Sequence, residues 1–273
     1  MIIDTHTHVV SSDKVKHPLD PGARGWSTEV SNNVEDLIAE MDRAGVDCAT
    51  LVQPNATYAL DNSYQCDSAK QYAPRTVAVG ILDPTAPDAA DKLSYWVNER
   101  GMNGVRLQSQ AEPDDSRCDI LWQRAEALGI PISIGGRSDA ALRRTARYGD
   151  AWTAIWVSAR RMAEAREKID EWAKEEGRED ARIGLGLQVW YGLDDDRDEA
   201  RRRLAKRMQD FYKIPFERFE RYSPYGRPEE IAEFLVPYVE AGCDHFNLLG
   251  VQSNQDEVVE AALAVKAALE KLL

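Results

Sequence analysis

The chain has 273 residues, a formal net charge of −13, 43% hydrophobic and 30% charged residues. That composition describes a globular protein with a sizeable core, and the length suits one large α/β domain or two small ones. The acidic balance, with no basic tract to offset it, excludes a nucleic-acid surface. The four cysteines at 48, 66, 118 and 243 show no CxxC spacing, so a reducing compartment is expected rather than a disulfide framework. No charged leader opens the chain, and no apolar run reaches the roughly 18 residues of a membrane span. A cytoplasmic protein is expected, working on a small molecule or inorganic anion as a monomer or homodimer, with no membrane or nucleic-acid partner.

In chain order, residues 1–10 read as a short strand holding Asp4, His6 and His8. Residues two apart on a strand face the same way, so all three are expected on one face. Residues 11–33 form a polar loop with Pro18, Pro21, Gly22 and Gly25, in which His17 reads as a surface residue. Ser31 or Asn32 can start the next helix, whose apolar stripe is Val34, Leu37, Ile38 and Met41, ended by Gly45. Further strands are expected at 48–54, 76–84 and 104–109, with helices within 62–72, 88–100 and 118–128.

Ile130, Ile132 and Ile134 alternate in a fifth strand. It runs through Gly135, Gly136 and Arg137 into a helix that Ser138 can cap, with Asp139 in its first turn. Glycines at a helix start let backbone N–H groups approach an anion closely. The turn is therefore either a phosphate cradle or an ordinary strand-to-helix connection. Strands at 151–157, 181–191 and 243–251 follow, with helices at 159–176, 198–211, from Pro228, and 255–272. Asp194–Asp196 reads as a loop and N-cap, without calcium-loop spacing. The aromatic run at 212–226 reads as a packed connector. Eight strands each followed by a helix, several of them apolar enough for burial on both faces, predict a single eightfold (β/α) barrel of TIM type.

Two resemblances divide the chain. Ile3-Asp-Thr-His-Thr-His8, Met41-Asp-Arg-Ala-Gly-Val-Asp47, Val79-Gly-Ile-Leu-Asp-Pro84 and Gly101-Met-Asn-Gly-Val-Arg-Leu107 resemble the N-terminal half of the amidohydrolase superfamily, in its lactonase and decarboxylase branch. Ile134-Gly-Gly-Arg-Ser-Asp139, Arg147-Tyr-Gly-Asp-Ala-Trp152, Tyr225-Gly-Arg-Pro-Glu-Glu-Ile231 and Tyr238-Val-Glu-Ala-Gly-Cys-Asp-His-Phe246 resemble the C-terminal half of the bacterial-luciferase-like flavin or deazaflavin monooxygenases. Both families are eightfold barrels. The pattern implies a chimera, engineered from half-barrels 1–134 and 135–273.

The first resemblance implies that His6 and His8 are metal ligands and that Arg106 is a candidate catalytic residue able to hold a substrate carboxylate. The family's remaining ligands are not evident: Gly135 stands at the fifth strand, 151–157 offers none, and Asn247 stands on the eighth. His245 is expected toward the opposite rim. The zinc site is then incomplete and weak, since catalytic zinc needs about three protein ligands. The second resemblance implies that Gly135, Gly136, Arg137 and Ser138 hold the phosphate of FMN or a deazaflavin, or free phosphate. Gly192 and Gly250 mark a second possible anchor, the one common in barrels. The main expectation is a hybrid without evolved turnover. Its alternatives are a lactone or C–C hydrolase and a flavin- or deazaflavin-dependent oxidoreductase.

Overall fold

The computed structural model describes residues 1–24, 32–107, 116–252 and 255–273. Gly25, Ser31 and the end of the fourth predicted strand at 108–109 lie outside the described residues. The chain forms two compact units, Met1–Pro131 and Ile132–Leu273. Each is an α/β layer built on a parallel sheet. Among the described residues no helix is long and apolar enough to cross a membrane.

The first unit contains β1 (Ile3–Thr7), α1 (Val34–Ala44), β2 (Cys48–Val52), α2 (Asn55–Tyr58), α3 (Ser63–Gln71), β3 (Thr76–Leu82), α4 (Ala89–Asn98), β4 (Gly104–Leu107) and α5 (Asp119–Ala127). Its strands pair in chain order, β1-β2-β3-β4, all parallel. Val34, Leu37 and Met41 are buried along α1 as the stripe predicts.

The cap of α1 is Asn33, whose side chain accepts from the Asp36 N–H at 3.0 Å. Asn32 does not fill that role. Asn32 is held extended by an antiparallel bridge to Val10, and its amide donates to the His8 carbonyl, so the chain turns one residue later. Asn33→Ala leaves the Asp36 N–H without that acceptor. It is expected to destabilise the first unit by about 1 kcal/mol, read as an earlier urea midpoint.

His17 is a second correction. The His17 N–H donates to the Asp13 carbonyl, folding the loop back, and the ring lies buried 4.8 Å from that of Tyr64. Burial, then the Lys16 charge, lowers its pKa. Cys48 is half-buried, and Cys66, Cys118 and Cys243 are buried. Burial pushes the thiol pKa of Cys66 up to about 12 and that of Cys243 up to about 11.

The second unit contains β5 (Ser133–Gly135), α6 (Asp139–Tyr148), β6 (Ala151–Ile155), α7 (Ala159–Glu175), β7 (Gly184–Leu193), α8 (Arg197–Tyr212), β8 (Tyr225–Gly226), α9 (Pro228–Glu240), β9 (His245–Gly250) and α10 (Gln255–Glu270). The ten-residue β7 is its spine. β6 pairs along one edge and β9 along the other, while the two-residue β8 pairs only with Gly192 and Leu193. The described residues therefore hold nine strands, not eight, because a short strand lies in the aromatic connector. Phe216 and Phe219 of that connector are buried against Trp190, Leu204 and Met208.

Alternation decides the two faces of this sheet. Trp152, Ala154, Leu185, Leu187 and Val189 pack beneath Leu142, Met162, Ile169, Ile231 and Leu235 of the helices. Burying each large aliphatic side chain contributes roughly 1.5–3 kcal/mol. The opposite face carries the register row Gly135, Thr153, Gly186 and His245. A Cβ on Gly186 would lie 2.2 Å from the His245 ring, which would have to move aside.

Candidate functional site

In the first unit, the His6 and His8 rings meet edge-on with centroids 4.9 Å apart. His8 Nδ1 lies 2.7 Å from the Val52 carbonyl. A carbonyl only accepts, so Nδ1 carries a proton, and in the neutral ring Nε2 has the lone pair. Asp4 does not join them. The register of β1 slips between Asp4 and Thr7, and an extra residue breaks the alternation that would have aligned the three. The Asp4 carboxylate instead accepts the His6 backbone N–H at 3.1 Å. Among the described residues no group of three or more His, Cys, Asp or Glu is arranged to hold a metal.

Desolvation lowers the His6 pKa, and the charges of His8 and Arg106 lower it further, against an opposing effect of Asp4. Arg106, exposed on β4, therefore acts electrically on His6. A histidine with a lowered folded-state pKa contributes stability that is present above the ordinary value of 6.5. That stability falls as pH drops below it toward the folded-state value. Arg106→Gln removes a positive charge, and the His6 imidazole NMR titration midpoint is expected to move up. An unmoved or lowered midpoint would contradict this reading.

In the second unit, β5 ends at Gly135 and the chain turns at Gly136, whose φ is +112°. That angle strains any L side chain, and a Cβ at 136 would also stand 3.0 Å from that of Ala141. Gly135 is open, with nothing nearer its Cβ position than the Thr153 carbonyl at 3.9 Å. Ser138 is extended and accepts the Ala141 N–H at 3.2 Å, capping α6 as expected. Residues 135–138 are all exposed.

Two tryptophans frame this turn. Trp152, buried on β6, donates its indole N–H to the Gly136 carbonyl at 2.8 Å. Trp156, just beyond β6, lies with its ring centroid 5.6 Å from the Arg137 guanidinium. The next helix, α7, starts three residues later under the Ser158 cap. Asp139 does not leave an unopposed negative charge here. Lys168 at 2.8 Å and Arg161 at 3.0 Å hold its carboxylate and lower its pKa.

Thus Gly135, Gly136, Arg137 and Ser138 are contiguous and accessible, and His6, His8 and Arg106 interact within the first unit. Gly192 and Gly250 stand close against neighbouring groups. A Cβ on Gly192 would lie 2.6 Å from the Ala200 carbonyl, and Gly250 is closed by Gln252 and Tyr191. His245 opens β9 and is exposed, while Asn247 pairs with Gln188 at 3.5 Å. Asp196 caps α8, accepting from Asp198 and Glu199. Trp152 and Trp156 escaped the sequence reading because nothing local shows that a strand tryptophan bonds the preceding turn.

The sequence model of the family described as Amidohydrolase matches residues 3–142. That described as Luciferase-like monooxygenase matches residues 102–228. No curated protein matches the chain at a significant level. Among solved structures, EDTA monooxygenase from Chelativorans sp. BNC1 is similar with a TM-score of 0.64 at 11% identity, over 99% of this chain and 93% of that one. An F420-dependent secondary alcohol dehydrogenase, in complex with an F420-acetone adduct, gives 0.62 at 14%, over 87% and 96%. Coenzyme F420 dependent tetrahydromethanopterin reductase from Methanopyrus kandleri gives 0.59 at 13%, over 96% of each. At such identities the likeness is one of fold.

Proposed function

The chain belongs to the amidohydrolase family, matched over just over half its length at residues 3–142, and from that premise, joined to the luciferase-like match over 102–228, we propose that it is a flavin- or deazaflavin-dependent oxidoreductase. The phosphate of its cofactor sits at Gly135, Gly136, Arg137 and Ser138. The observation that carries this reading is the turn at Gly136, which only glycine suits, locked by Trp152 and opening onto a capped helix. The first unit offers a histidine pair without a third ligand among the described residues, so the intact binding device is in the second.

The residues present fit a phosphate ester. Backbone N–H groups at the start of α6 and the Ser138 hydroxyl donate to it. Arg137 supplies the positive charge, and the Asp139 charge is already matched by Lys168 and Arg161. When bound, the ring of such a cofactor accepts or delivers a hydride. The chain's own part is to anchor and orient it.

The expectation of an engineered hybrid without turnover gains no support from the comparisons, which favour the oxidoreductase. A single eightfold barrel with halves 1–134 and 135–273 remains part of this reading. The break between compact units at Pro131 and Ile132 supports the division into halves. The overlap of the two family matches over 102–142 makes the change gradual in sequence.

The test is binding of FMN against riboflavin, read by quenching of flavin fluorescence, with inorganic phosphate as competitor. FMN is expected to bind at least tenfold tighter, about 1.4 kcal/mol. Equal affinities, or no binding of flavin or F420, would overturn the reading.

A second reading is an amidohydrolase-type hydrolase of lactones or C–C bonds using His6, His8 and Arg106. The free Nε2 of His8 beside His6 favours it. Near-stoichiometric zinc in the purified protein, measured by plasma emission, would promote it over the first.

A further inference from the structure

Trp156 carries two features that the fold by itself does not use. Its φ is +53°, a left-handed conformation that a bulky side chain adopts only when its surroundings impose it. Its indole Nε1 is buried and has no hydrogen-bond partner among the described residues. The neighbouring indoles are satisfied: Trp152 donates to the Gly136 carbonyl and Trp190 to the Tyr212 hydroxyl, at 2.8 and 2.9 Å. A buried donor left without an acceptor is rare and calls for an explanation.

The Trp156 ring is also held in place. Tyr212 meets it edge-on at 4.9 Å and Phe219 lies tilted at 4.5 Å. The Arg137 guanidinium lies over it at 5.6 Å. The residue that reaches Trp156 is therefore one of the four assigned to the phosphate. The unpaired N–H and the strained backbone thus belong to the residue whose ring this arginine overlies.

We infer that Trp156 is a ligand-binding residue of this site, its indole N–H donating to an oxygen on the phosphorylated polyol chain of the cofactor. The inference rests on the proposed function. Local strain at Trp156 places the donor, and Arg137 over the ring couples its position to the charge that the arginine binds.

Trp156→Phe keeps an aromatic ring for Tyr212 and Phe219 and removes the donor with part of the ring. It is expected to weaken FMN binding at least fivefold, with an unchanged circular dichroism spectrum. Equal weakening of inorganic phosphate would place the acceptor on the phosphate. Weakening of FMN alone would place it on the polyol chain. Should the variant fold poorly, the wild-type protein labelled with 15N-tryptophan answers the same question. On adding FMN, the Trp156 indole resonance is expected to move downfield while that of Trp190 stays.

An unmoved Trp156 resonance and unchanged FMN affinity would overturn the inference, and an internal water would then satisfy the donor. Absence of FMN binding by the wild-type protein is a different result, one that removes the proposed function itself.

Discussion

Gly136→Val is expected to abolish measurable FMN binding and to lower the melting temperature. The valine would have to adopt φ near +112°, with its Cβ 3.0 Å from that of Ala141. Such backbone strain costs about 1–3 kcal/mol. Relief requires moving the turn, and moving the turn changes the aim of the N–H groups at the start of α6. The loss should therefore exceed what stability alone explains. Gly135→Ala is the control, because that position is open, and its stability is expected to stay close to wild type. Fluorescence titration and thermal melts of both variants make the comparison. Unaltered FMN affinity in Gly136→Val would show that the turn does not bind the cofactor.

Trp152→Ala is the substitution expected to harm folding most. The side chain is 1% exposed and among the largest fully buried groups. Removing it leaves a cavity beneath α6 and α7, and truncations of this kind cost about 3–5 kcal/mol. It also strips the Gly136 carbonyl of its donor. Trp152→Phe separates the two effects. It fills much of the space and loses the hydrogen bond, for about 1 kcal/mol. Urea unfolding should rank wild type above Trp152→Phe and Trp152→Ala last. A Trp152→Ala midpoint equal to wild type would refute the packing described here.

The turn at residues 135–138 was legible because its determinants are local. A strand, two glycines and a serine cap specify a turn within a few residues, and β5, Gly136, Ser138 and α6 lie where that pattern puts them. The parallel α/β layout was legible for a similar reason, since apolar runs alternate with helical stripes. What escaped depends on distant partners. The slipped register of β1 is set by its pairing with β2, and it separates Asp4 from the two histidines that spacing alone would group with it. The extended Asn32 is imposed by Val10, twenty-odd residues earlier. His17 is drawn inward by Tyr64. The close approach of Ala200 to Gly192 and of Tyr191 to Gly250 likewise shows only in the fold. The strand at Tyr225–Gly226 is too short to carry a period.

The buried sulfurs have a consequence for the chemistry of the protein in air. A thiol whose pKa is about 12, as at Cys66, is ionised in roughly one molecule in a hundred thousand at neutral pH, and only the ionised form attacks electrophiles or exchanges with disulfides. Cys243 is nearly as inert, its pKa being about 11. Interior packing thus shields both sulfurs from oxidants and alkylating agents, without any bond having to be made between them.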